Sequence, residues 1–142
     1  MNIEPKPASA KASPEQFSGD VWVDPIAVPR APGQRATASL VRFAPCARTA
    51  WHSHELGQTL HIVAGVALLG TRDGQLIEAH PGQTIYTAPG EEHWHGATPE
   101  DFMAHLAVLD QGDDPATTTI WLEHVDDADD HRPADSSESE AR

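Results

Sequence analysis

Cationic side chains are scarce in this chain: nine lysines and arginines stand against 22 aspartates and glutamates over 142 residues, a formal net charge of -13. That balance speaks against nucleic acid or an anionic membrane surface as partner, because both need basic patches to neutralise phosphate. Part of the charge is local. Seven acids between residues 126 and 142 face only Arg132 and Arg142, so five of the thirteen negative charges sit in a tail. Cysteine is almost missing, and Cys46 alone excludes an intramolecular disulfide and gives no sign of an oxidising compartment. No stretch approaches the roughly 20 apolar residues of a membrane helix, and no basic-then-apolar leader opens the chain. A cytoplasmic protein is expected. The length suits one domain with a core of its own.

Helical periodicity is also lacking, and what replaces it is short alternation. Residues 1–15 mix Pro, Ala, Ser and Lys with little to bury and are expected to be disordered. Strands are expected at Phe17–Pro25, Ala36–Phe43, Ala50–His54, Gln58–Val63, Val66–Thr71, Leu76–Ala79, Thr84–Thr87, Phe102–Leu109 and Thr117–Val125. Asp73-Gly74 marks a tight hairpin, and Pro25 is expected to close the first strand. Many short strands broken by Gly, Pro and Asp turns indicate an antiparallel sandwich or barrel over residues 16–125. The acidic segment 126–142 is expected to be a disordered tail.

Two histidine pairs stand out, His52-Ser53-His54 and His93-Trp94-His95. Side chains two apart on a strand share a face, so each pair can approach one ion, and imidazole is the commonest side-chain ligand for transition metals. Gln58 begins the strand after the turn at Leu56-Gly57 and is a third type of candidate ligand. Alternation along Phe102–Leu109 adds His105 and Leu109 to the inward side, and Ser39 and Val41 share a pocket-facing side of their strand. Trp51 and Trp94 alternate with the histidines and are expected to pack on the opposite surface.

The pattern His52-x-His54-x3-Gln58-x6-Gly65, followed by Gly82-x7-Gly90-x2-His93, resembles the two motifs of the cupin superfamily. The resemblance implies an all-β, single-domain, jelly-roll-like barrel with little or no helix, in which His52, His54, Gln58 and His93 meet around a divalent metal. The wording Ala47-Arg48-Thr49-Ala50-Trp51-His52, with Gly90-Glu91-x-His93-Trp94-His95-Gly96-Ala97 and Met103-x-His105-Leu106-Ala107, is similar to bacterial cupin-type hydroxynitrile lyases. That likeness implies a manganese ion and a cyanohydrin substrate. Cys46 departs from it, standing where the first motif usually has glycine. Ala97 likewise takes the place of a frequent asparagine.

A ligand set of three imidazoles and a carboxamide is neutral, so a bound dication keeps its full charge and favours Lewis-acid chemistry. Mn²⁺ is the expected ion, with Fe²⁺, Ni²⁺ and Zn²⁺ suited to the same donors. His105, His95 and Thr49 are the expected catalytic group, lined by Ser39, Val41, Leu60 and Leu109 as substrate pocket. The alternatives are a cupin dioxygenase or other oxidoreductase, and a non-enzymatic small-molecule-binding barrel. Trp22, Trp121 and an open edge at Val21–Val23 further suggest a homo-oligomer, a dimer or tetramer.

Overall fold

Alternating apolar residues assemble here into two curled antiparallel sheets. The computed structural model describes residues 1–126; the expected acidic tail lies, beyond Asp126, outside them. In chain order the strands are β1 (Ala10–Lys11), β2 (Phe17–Ser18), β3 (Val21–Ala27), β4 (Ala36–Phe43), β5 (Arg48–Thr49), β6 (His52–His54) and β7 (Gln58–Gly65). Then follow β8 (Ala67–Thr71), β9 (Leu76–Ala79), β10 (Thr84–Thr87), β11 (His93–Ala97) and β12 (Met103–Asp110). A single helical turn, α1 (Pro115–Thr118), capped by the Asp114 side chain, leads into β13 (Thr119–Trp121). One sheet runs β1-β3-β4-β12-β7-β10; the other runs β13-β6-β11-β5-β2, with β8 on β11 and β9 on β8.

Register decides which side chains meet inside. Residues paired across antiparallel strands share a face, so Val41 with His105, Phe43 with Met103 and Ser39 with Ala107 point together into the barrel. Opposite them the second sheet supplies Leu69 and Ala97, and the main core forms from Val21, Val41, Phe43, Leu60, Ile62, Leu69 and Met103 among others. Outside the second sheet, Trp51, Leu68 and Trp94 make a separate cluster covered by Leu76, Leu122 and Val125. The two tryptophans that alternate with histidines therefore pack under the C-terminal segment, as their parity requires. Trp94 lies against Gly70 on the neighbouring strand, where any Cβ would fall 2.2 Å from the indole nitrogen.

Four local expectations are revised. Phe17–Pro25 is not one strand: β2 belongs to the second sheet and β3 to the first. Pro25 does not end β3, because its missing N–H is absorbed where the β3–β4 register shifts between Pro25 and Ala27. The edge at Val21–Val23 is partly covered, since Ala10 and Lys11 pair with Val23 and Trp22, and Glu4 further out is ion-paired with Arg30. Thr117–Val125 shortens to β13 behind α1. Trp22, Val63, Val108 and Tyr86 remain exposed. Among the described residues no helix is long and apolar enough to cross a membrane.

Gly65 shows why the first motif ends on glycine. Its φ is 72°, and an added Cβ would sit 1.8 Å from the Phe102 carbonyl oxygen, at the corner where the chain passes from one sheet to the other. Cys46 is the opposite case, since it is a non-glycine residue at φ 68°. A side chain in that left-handed region costs roughly 1–2 kcal/mol. Because Cys46 is exposed, Cys46→Gly removes the strain and little packing. The expected outcome is a gain of about 1 kcal/mol, partly offset by glycine's extra chain entropy, read as a higher thermal midpoint.

Candidate metal centre

Strand pairing, not sequence proximity, brings the two histidine pairs together. β6 and β11 are neighbours, with His52 directly across from His93. His54 and His95 are two residues further along those strands, so all four rings project into the barrel. Gln58 opens β7 in the facing sheet, and His105 comes from β12 beside it. The loops are joined by backbone: the His54 carbonyl accepts from Gly57 N–H at 3.2 Å and from Gly90 N–H at 2.9 Å. All six side chains are buried, none more than 6% exposed.

Hydrogen bonds at the far ring nitrogens fix what some of these imidazoles present. His52 Nδ1–H donates to the Ala50 carbonyl and His93 Nδ1–H to the Glu91 carbonyl, both at 2.9 Å. A carbonyl only accepts, so each ring must carry its proton on Nδ1 and turn a bare Nε2 lone pair inward. His54 Nδ1 lies 3.0 Å from Thr119 Oγ1. His95 Nδ1 and His105 Nε2 are 3.0 Å apart, which two neutral rings satisfy by one donating to the other. The potential ligand atoms of His52, His93 and His95 lie within 4.8 Å of one another.

A cation fits this arrangement. His54 Nε2, Gln58 Oε1, His93 Nε2 and His95 Nε2 are buried without a hydrogen-bond partner, and each such group left bare costs about 1–3 kcal/mol. The inward lone pairs of His52 and His93, whose potential ligand atoms lie within 4.8 Å of each other, are answered by a positive ion. Burial reinforces this by keeping the rings neutral. It is the main cause that pushes His52 and His95 well below the usual imidazole value, lowers His93, and brings His54 and His105 down to about 4. For His54 the neighbouring His93 adds to the shift and Gln58 opposes it.

The other sequence-derived residues fall in different places. Thr49 Oγ1 accepts the backbone N–H of His95 at 3.2 Å, so it braces β11. Val41 and Leu60 belong to the main apolar core. Leu109 lines, with Gln58, Leu56 and Tyr86, an open pocket of about 150 Å³, and Ser39 is half-buried opposite Ala107. Sequence reading missed the part played by β13. Thr119 reaches His54, and the Trp121 ring lies over His52 with centroids 4.7 Å apart and planes 33° apart. Only the pairing of β13 with β6 reveals this, and no linear motif marks it.

Residues 39–109 match the cupin domain model. This chain is a member of the cupin family. An (R)-mandelonitrile lyase from Granulicella tundricola is 45% identical to it over 120 residues, 84% of this cupin and 89% of that protein. Among solved structures, a cupin-like protein from Thermotoga maritima superposes with a TM-score of 0.78 at 27% identity, covering 91% of this chain and 94% of the other. A polyketide cyclase from Streptomyces resistomycificus has a TM-score of 0.66 at 18% identity, covering 81% and 89%, and shares the fold.

Metal-free protein should lose stability on acidification. A histidine held near 4 in the fold but titrating near 6.5 when unfolded contributes nothing against folding above 6.5. As pH falls from there towards 4, the unfolded chain takes up protons that the folded one does not. His54 and His105 each remove on the order of 3 kcal/mol by pH 4, at about 1.4 kcal/mol per pH unit. Denaturant melts of chelator-treated protein between pH 7 and 4 measure this, and a flat profile would contradict it.

Proposed function

We propose that this cupin is a metal-dependent carbon–carbon lyase that cleaves cyanohydrins to aldehyde and cyanide, and forms them in reverse. One observation carries the reading: the inward lone pairs of His52 and His93, with the unpartnered buried His54 Nε2 and Gln58 Oε1, lie in the same barrel as a hydrogen-bonded histidine pair, His95–His105, that can manage a proton. The likeness to a protein named (R)-mandelonitrile lyase supports the same class of substrate. His52, His54, Gln58 and His93 would hold the ion, with Mn²⁺ our first choice. When bound, it supplies Lewis-acid polarisation of the substrate hydroxyl.

The chain's own residues do the rest. Burial keeps the His95–His105 pair neutral before reaction, so it offers a lone pair to the hydroxyl proton. As that proton moves to the pair, the carbon–nitrile bond breaks, its electrons leave with cyanide, and a carbonyl forms on the remaining fragment. Return of the proton gives hydrogen cyanide and restores the neutral pair. Thr49 keeps β11 in place through the His95 backbone. Apolar Leu60 and Val41 keep water from the inner wall.

The test is cyanide release from mandelonitrile by purified protein, with and without chelator. We expect release that chelation abolishes and metal restores; absence of release over a range of cyanohydrins, with metal bound, sinks the lyase reading. His105→Ala should lose about 10²- to 10⁴-fold in turnover, the usual contribution of acid–base help, while retaining metal. The proximity of His95 to His52 and His93 favours a second ligand set that includes His95. Metal content of His95→Ala decides between them: full occupancy keeps His95 as a proton carrier, and loss makes it a ligand.

A further inference from the structure

His54 differs from its two neighbours in how it is oriented. His52 and His93 donate to main-chain carbonyls, whereas among the described residues the partner at His54 Nδ1 is the Thr119 hydroxyl oxygen, 3.0 Å away. Thr119 is not a chance neighbour. It is the residue directly across from His54 in the β13–β6 pairing, so the two side chains share the inward face. The strand that carries it is pinned at both ends. At its start, Glu55 N–H donates to the Thr118 carbonyl at 3.0 Å and Gly112 N–H to Thr118 Oγ1 at 2.9 Å. Beyond its end, Leu122 N–H donates to the Trp51 carbonyl at 2.8 Å and Trp51 N–H to the Glu123 carbonyl at 2.9 Å. The hydroxyl is therefore held at a fixed position behind the ring.

We infer that Thr119 is a positioning residue for the metal centre: by accepting the His54 Nδ1 proton it holds that ring with Nε2 bare and aimed inward. Without the hydroxyl, no other group among the described residues is placed to accept the Nδ1 proton, and a ring protonated on Nε2 cannot ligate. Valine has the same shape and β-branching, so Thr119→Val removes the bond while preserving strand propensity and packing. Serine keeps the hydroxyl. The inference rests on the reading of His54 as a ligand of a divalent ion.

Calorimetric titration of the full-length, metal-free protein with Mn²⁺ and with Zn²⁺ tests it. Thr119→Val should bind about 10- to 100-fold more weakly, the usual effect of removing a group that orients a ligating histidine, and Thr119→Ser should stay close to the parent. In the metal-free state, imidazole ¹⁵N spectra should show His54 passing from a single Nδ1–H tautomer to a mixture in Thr119→Val, with His52 and His93 unchanged. Equal affinity of Thr119→Val and parent, equal weakening by valine and serine, or an unaltered His54 spectrum each overturns the role of Thr119 alone. A parent protein that binds neither ion overturns the metal reading itself, and this role with it.

Discussion

Two main-chain carbonyls, those of Ala50 and Glu91, decide what the middle of this barrel can bind. Each accepts a proton from the outer nitrogen of a buried imidazole and so obliges the inner nitrogen to be a lone pair. Lone pairs facing one another in a buried space are unfavourable until a cation or donor arrives. The fold meets the cost of that arrangement elsewhere. Apolar walls from both sheets keep the rings neutral, and backbone bonds to the His54 carbonyl lock the two motif loops to one another.

The outer layer of the second sheet serves the same end. Trp94 fits because Gly70 has no side chain, and Trp51 is closed over by Leu122 and Val125 from the C-terminal segment. Arg72 lies over the Trp51 ring at 4.0 Å and reaches Glu92 and Glu123, joining the loop before β11 to the segment after β13. Tight packing outside β6 and β11 leaves the strands little freedom, which keeps their inward histidines in fixed positions.

Much of this was readable from the chain itself. Two-residue spacing in His52-His54 and His93-His95 fixes parity once both are strands, and the alternating Trp51 and Trp94 are fixed on the other face by the same rule. The Asp73-Gly74 pair announced a hairpin that the structure contains. Contacts that depend on which strands become neighbours were not legible. Thr119 meeting His54 and Trp121 lying over His52 join residues up to 69 positions apart, and no local pattern encodes those partners. Pro25 misled for a related reason: whether a missing N–H matters depends on a register shift set by the neighbouring strand.

Backbone orientation of His52 and His93 has a consequence for how such a site can drift. A carbonyl belongs to every residue type, so no replacement at position 50 or 91 deletes either acceptor; only a change in the path of the chain does. Side chains elsewhere on the barrel wall are thus free to change, while the orientation of His52 and His93 is inherited with the path of the chain.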